Sequence, residues 1–258
     1  MERKIVVLIA FFIITVSCSS DDDENGNIID RNPITNNQKS LGTSSHDLLS
    51  DDTFKSMVIE VAYVQGYEPS ATTINNLVSF LNERLNKPLG INVVKTPIIS
   101  PGKTTFSNQD IIAIEDANRT KYNTSNQIAV WAFFVDGDSD GNTTNSYVLG
   151  TSYRNTSFVI YEKTVQGLSD SPFEPNRSLL ETTVVEHEFA HLLGLTNLGA
   201  KMQTNHEDTE HPKHCNVESC LMYWESESGN SIGNMISGGT IPKLDAQCIA
   251  DLRANGGK

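Results

Sequence analysis

Cysteine is scarce in this chain, with four residues in 258, at positions 18, 215, 220 and 248, and so sparse a set excludes a small disulfide-built scaffold. Basic residues are also few. Nineteen Lys and Arg face 32 Asp and Glu, and the formal net charge of −13 argues against nucleic acid or an anionic lipid surface as partner. No apolar run reaches the roughly 20 residues that a bilayer-spanning helix needs. No internal repeat is present, so a solenoid or propeller is not expected.

The N-terminus reads as an export signal. Arg3 and Lys4 precede an apolar run from Ile5 to Val16, which ends at Ser17-Cys18. Val16-Ser17-Cys18 resembles the lipobox of bacterial lipoproteins, in which the cysteine is lipidated, although Thr15 stands where Leu is commoner. The run from Ser19 to Glu24 resembles the acidic export tag of lipoproteins displayed by Bacteroidetes-type bacteria. These resemblances imply a signal peptide over 1–17, a lipid anchor on Cys18 and a location at the outer membrane or cell surface. Residues 18–50 are acidic and rich in Asn and Ser, so they read as a tether, and 51–258 is long enough for one well-buried domain.

Within that domain the expected elements alternate. Strands are expected at Lys55–Tyr67, from Ile91, at Ile128–Val135, at Ser146–Gly150 and at Thr156–Glu162. Helices are expected from a Ser70 cap to about Leu85 and from Ser107 to about Ala117. The sum is an α/β (α+β) fold, a twisted mixed sheet with helices packed on it.

The chemistry is concentrated in Val184–Gly194. Leu180, Val184, His187 and His191 recur at helical spacing, and no Pro or Gly interrupts before Gly194. His187, Glu188 and His191 spell H-E-x-x-H. On a helix that spacing puts both imidazoles on one face, within reach of one Zn²⁺ at about 2.0–2.1 Å, and leans Glu188 over the metal's open side. Zinc lowers the pKa of a bound water from ~15.7 toward ~7, which removes roughly 12 kcal/mol from the cost of making hydroxide. Glu188 is the candidate general base.

Beyond Gly194 the chain resembles the metzincin clan of zinc proteases, whose long motif is H-E-x-x-H-x-x-G-x-x-H/D. His187, Glu188, His191 and Gly194 match, but Asn197 stands at the third-ligand position. Further on, His214-Cys215-Asn216-Val217-Glu218-Ser219-Cys220-Leu221-Met222 matches the H-C-x-x-x-x-C-x-M stretch of archaemetzincins, with 197–213 as an insertion. The resemblance implies a long active-site helix, a smaller C-terminal subdomain with a Met-turn at Met222, and His214 as third zinc ligand. His206 and His211 remain alternatives. Tyr223 directly follows Met222, one position short of the metal-switching Tyr of some metzincins.

Archaemetzincins also hold a second, structural zinc between this Cys pair and a later C-x-x-C. Here the later pair reads Asp245-Ala246-Gln247-Cys248, so a site of Cys215, Cys220, Cys248 and Asp245 competes with one disulfide plus a free thiol. The disulfide is the expectation, with Cys248 as one partner. Separately, Asp136-Gly137-Asp138-Ser139-Asp140-Gly141 matches the first half of a calcium loop. Tyr147 occupies the position of the bidentate Glu, so a plain polar turn is expected and Ca²⁺ held by Asp136, Asp138 and Asp140 is the alternative.

The resemblance implies an extended protein or peptide substrate added along an edge strand, for which Ser146–Arg154 is the candidate, with the 199–213 loop bordering the cleft. An open cleft implies internal cleavage. The expectation is a monomeric zinc endopeptidase. Two other readings stand beside it, a catalytically silent metzincin-like surface binding protein and a zinc hydrolase acting on a non-protein amide.

Overall fold

The computed structural model describes residues 32–172, 174–229, 236 and 239–258. The predicted signal segment and Cys18 lie outside these residues. Two short helices come first, α1 (Pro33–Asn36) and α2 (Ser45–Leu49). Residues 32–50 were expected to continue the tether and instead belong to the folded body. Leu48 and Leu49 are fully buried in the core, and buried Asn37 donates to Ala129 O at 3.0 Å and Thr156 Oγ1 at 3.0 Å. A polar composition hid a few residues whose hydrogen bonds are made inside the protein.

Alternation then follows as the periodicity predicts: β1 (Ser56–Val64), α3 (Ala71–Asn82), β2 (Ile91–Ile98), β3 (Thr105–Phe106), α4 (Asn108–Asn118) and β4 (Gln127–Phe134). The predicted Ser70 cap forms, and α4 is capped as well. Ser70 accepts from Thr73 N at the start of α3, and Ser107 and Asp110 form a reciprocal capping box on α4. After the two-residue β5 (Asp138–Ser139) come β6 (Gly150–Arg154), β7 (Ser157–Ile160), α5 (Glu162–Gly167), α6 (Arg177–Leu192) and, near the C-terminus, α7 (Ala246–Ala254).

The main sheet has the order β2-β1-β4-β7-β6. The first four strands run parallel, and β6 is an antiparallel edge hairpinned to β7. Strand β4 is buried on both faces because the sheet is covered on both. Ile128, Val130, Ala132 and Phe134 point to one core with α3 and α6, while Trp131 and Phe133 point to a second core with Ile111 of α4. Edge strand β6 begins at Gly150, later than the predicted Ser146–Gly150. Helix α6 packs on α3, β6 and β7 and is buried on nearly every side, which explains why its sequence is apolar well beyond one stripe. Among the described residues no helix is long and apolar enough to cross a membrane.

Candidate metal centre

Helix α6 starts at Asn176, whose side chain accepts from Ser178 N, and carries His187, Glu188 and His191 through its last turns. It stops at Gly194, whose φ of +92° suits glycine, and a Cβ there would stand 2.5 Å from Ala200 N. The chain then turns back. Residues 197–213 form an excursion closed at its base by Thr196 N donating to Lys213 O, and His214 follows directly.

His214 stands beside the helical pair. Ring centroids lie 4.7 Å apart for His187 and His191, 5.3 Å for His187 and His214, and 5.2 Å for His191 and His214. Each ring has its Nδ1 against a backbone carbonyl: His187 on Leu221 O at 2.7 Å, His191 on Leu195 O at 3.1 Å and His214 on Pro212 O at 3.2 Å. A carbonyl only accepts, so each Nδ1 carries a proton and Nε2 is the ring atom left to bind a metal. Burial, with His187 next, holds His191 well below the ordinary imidazole value, which keeps it neutral.

Those Nε2 atoms face one another. His187 Nε2 and His191 Nε2 are 3.1 Å apart, and two nitrogens bound tetrahedrally to one Zn²⁺ are about 3.3 Å apart. Two neutral acceptors at that distance repel unless a cation lies between them. Glu188 is fully buried alongside; Ser152 Oγ, on β6, donates to its Oε2 at 2.8 Å, while its Oε1 is buried with no partner. Burial, with the charge of Glu227 second, pushes the Glu188 carboxyl well above the carboxylate range. A divalent cation at the three imidazoles would draw it back down. The donor set therefore fits zinc: three imidazoles, each oriented by a carbonyl, and a carboxylate oxygen left free beside them.

Glu227, which the sequence reasoning missed, completes the group. It ends a 3-10 helix (Trp224–Glu227) and lies with its Oε1 3.2 Å from His214 Nε2 and its Oε2 3.6 Å from His187 Nε2. No known spacing marks it. The small cleft over the group, about 180 Å³, is bordered by Gly150, Thr151 and Ser152 of β6 and by Glu188, His214 and Glu227.

The other histidine candidates are elsewhere. His211 bonds Asp208 Oδ2 at 2.9 Å and stacks on Trp224 with centroids 4.3 Å apart. His206, expected as an alternative ligand here, belongs to a second cluster. Asn197 Nδ2 donates to Glu207 Oε2 at 3.1 Å, away from the histidines. Met222 is fully buried, its carbonyl accepting from Cys215 N at 2.7 Å, and follows Leu221, whose carbonyl accepts from His187.

The second cluster corrects the cysteine reading. Cys215, Cys220 and Cys248 are free and buried, and the Cys220–Cys248 Sγ separation of 3.7 Å is far above the roughly 2.05 Å of a disulfide. It matches the ~3.75 Å between two thiolates on one tetrahedral zinc at ~2.3 Å. His206 Nδ1 lies 3.4 Å from Cys215 Sγ and 4.0 Å from Cys248 Sγ, and its Nε2 is 2.8 Å from Asp251 Oδ2. Asp251 thus orients His206 as a carboxylate orients a metal-bound imidazole. Asp245, expected as a ligand, belongs to the group: the ligand atoms of His206, Cys215, Asp245 and Cys248 lie within 4.8 Å of one another, and Asp245 also caps α7 through Cys248 N at 2.8 Å, with its other oxygen 3.7 Å from Cys215 Sγ. Hydrogen bonds from Cys215 and Cys248 pull the Cys220 thiol down to about 4.

In the calcium-like loop Asp138 accepts from Lys163 Nζ and Thr164 Oγ1, each at 2.8 Å, and Asp136 Oδ2 accepts from Ser100, while Asp136 Oδ1 is buried without a hydrogen-bond partner. Among the described residues only the two clusters above gather a metal-ligand set.

No family model and no curated protein sequence matches this chain. The solved structures do give a match. The crystal structure of archaemetzincin from Methanopyrus kandleri aligns with a TM-score of 0.51 at 16% identity, covering 78% of this chain and 96% of that one. With its five-stranded mixed sheet and the helix α6 that carries H-E-x-x-H, this chain shares the fold of that archaemetzincin structure.

Proposed function

We propose that the chain is a zinc-dependent metalloendopeptidase. One observation carries the reading: three buried imidazoles, each with Nδ1 committed to a carbonyl, present their Nε2 atoms to one another beside the unpartnered Oε1 of Glu188. Zn²⁺ in that seat would lower the pKa of water toward ~7 and polarise a peptide carbonyl. His187, His191 and His214 hold the ion. Glu188, fixed through Oε2 by Ser152, takes a proton on Oε1 and hands it to the leaving amine. Met222 is the methionine of a Met-turn. Edge strand β6 offers its backbone to an extended peptide, and Thr151 and Ser152 lie where that peptide would cross Glu188.

His206, Cys215 and Cys248, with Cys220 or Asp245 as the fourth ligand, would hold a second zinc, which would tie the inserted loop, the Met222 segment and α7 together. The lipidation motif at Cys18 supports attachment of the enzyme outside the cytoplasm as a surface lipoprotein.

Zinc content and internal cleavage of denatured casein, read by mass spectrometry, test the reading. Glu188→Gln should keep the zinc and the melting temperature and lose at least ~10²-fold in turnover, the usual scale for a general base. Unchanged turnover would sink the mechanism.

A further inference from the structure

Metal sites built for structure are closed by four protein ligands, whereas hydrolytic sites keep one position open. The three imidazoles and Glu188 describe an open site. Glu227 does not fit that description, because its carboxylate lies within the metal-ligand group itself: one ring nitrogen from each of His187, His191 and His214 and one carboxylate oxygen of Glu227 all fall within 4.8 Å of one another. Carboxylate oxygen is an ordinary zinc ligand at about 2.0–2.2 Å.

The backbone keeps it there. Leu149 N donates to Glu227 O at 3.0 Å, Gly229 N donates to Tyr147 O at 2.9 Å, and Val148 and Ser228 form an antiparallel bridge. Residues 227–229 therefore lie along 147–149, the segment that runs straight into edge strand β6. This is the mode in which an extended peptide would add to that edge. Trp224, at the start of the same 3-10 helix, is braced by its stack on His211 of the inserted loop. The Glu227 side chain is nonetheless 31% exposed at the mouth of the cleft, and its helix is a single turn.

We propose that Glu227 is a fourth protein ligand of the catalytic metal and that its strap, residues 227–229, occupies the substrate's place, so the peptidase folds in a latent, closed form. The inference rests on the zinc reading of the three histidines. A peptide pairing with 147–149 competes with the strap for the same backbone groups and draws Glu227 off the metal, so substrate opens the site it uses. The inserted loop sets how firmly the strap is held, through His211.

The test uses Glu227→Ala and Glu227→Gln in the full chain, with His187→Ala to define which zinc belongs to this site. Two measurements are made: release of that zinc to a chelator, and cleavage of denatured casein. The latch predicts changes in opposite directions. Loss of Glu227 should speed zinc release at least ~10-fold, as losing a ligand or its support does, and should raise casein cleavage by at least a similar factor. Zinc release at the wild-type rate would overturn the ligand assignment. Faster release with cleavage lowered or unchanged would overturn latency, since Glu227 would then be only a positioning residue. If His187→Ala removes no zinc, the peptidase reading falls and the latch with it; if His187→Ala removes one zinc and Glu227→Ala changes nothing, the latch alone falls. A melting curve matching wild type for Glu227→Gln confirms that the comparison is made on folded protein.

Discussion

A Cβ placed on Gly150 would stand 2.6 Å from Glu188 Cγ and 2.8 Å from its Oε1, so edge strand and general base fit together only because residue 150 has no side chain. Glu188 cannot retreat easily. It is fully buried, and Ser152 Oγ holds both its Oε2 and its backbone carbonyl at 2.8 Å. The strand that would receive substrate thus also positions the carboxylate.

Gly150→Ala should therefore displace Glu188 while leaving the histidines in place. A shift approaching 1 Å in a catalytic group can cost up to ~10²-fold. The expected outcome is a loss of at least ~10-fold in kcat/KM with zinc content unchanged. Wild-type turnover in this variant would show that Glu188 relaxes freely and that the strand does not position it.

Ligand assignment separates the three loop histidines by zinc content. His214→Ala should lose the catalytic zinc, because its Nε2 faces His187 and His191 within the same group. His211→Ala and Asn197→Ala should retain it, since His211 faces Trp224 and Asp208 and Asn197 bonds Glu207. Retention in the His214 variant with loss in the His211 variant would reverse the assignment.

The second cluster predicts two zinc ions per chain, one of them lost from His206→Ala. Losing a zinc ligand or its carboxylate support typically costs ~10–100-fold in affinity, about 1.4–2.7 kcal/mol. For a domain of this size that corresponds to a fall of roughly 3–10 °C in Tm. His206→Cys, which supplies a fourth thiolate, should restore the metal. Asp245→Asn should keep the second zinc, because the amide oxygen can still cap α7. One zinc in the wild type, or its loss from Asp245→Asn with retention in His206→Ala, would refute the assignment.

The first site was legible because H-E-x-x-H lies on one helix, where sequence spacing is spatial spacing. His214 could be placed only through a motif resemblance, since a fold-dependent excursion separates it from His191. The second cluster was misread for a related reason. His206 joins the cysteines from 42 residues before Cys248, and nothing local distinguishes it from the half-buried His211. Glu227 had no signal at all, since its position depends on pairing between 227–229 and 147–149. The strands and helices from β1 to β4 were readable from periodicity and caps. The helices before residue 50 were not, because their few apolar residues, Leu48 and Leu49 among them, form no periodic run.

Glu186 gives the stability of the fold a pH dependence. It precedes His187 on α6 but faces Arg84 and Lys243 in a separate groove, and it is only 5% exposed. Burial pushes its carboxyl up to about 8 from an ordinary 4.5, with Arg84 pulling part of the way back and Glu83 adding to the rise. A carboxyl with a raised folded-state pKa binds its proton more tightly in the folded protein. Its contribution is therefore complete below about pH 4.5 and is lost as pH rises toward about 8, where the folded chain must ionise it as well. Glu186→Gln keeps the neutral shape and has no such term. Relative to wild type, its Tm should be equal near pH 4.5 and should gain with rising pH, by at most roughly 3–5 °C per unit, before levelling above pH 8. Comparing the two proteins at each pH cancels the common loss of zinc in acid. A Tm difference that stays constant from pH 5 to 9 would mean that Glu186 is ionised in the folded protein throughout that range.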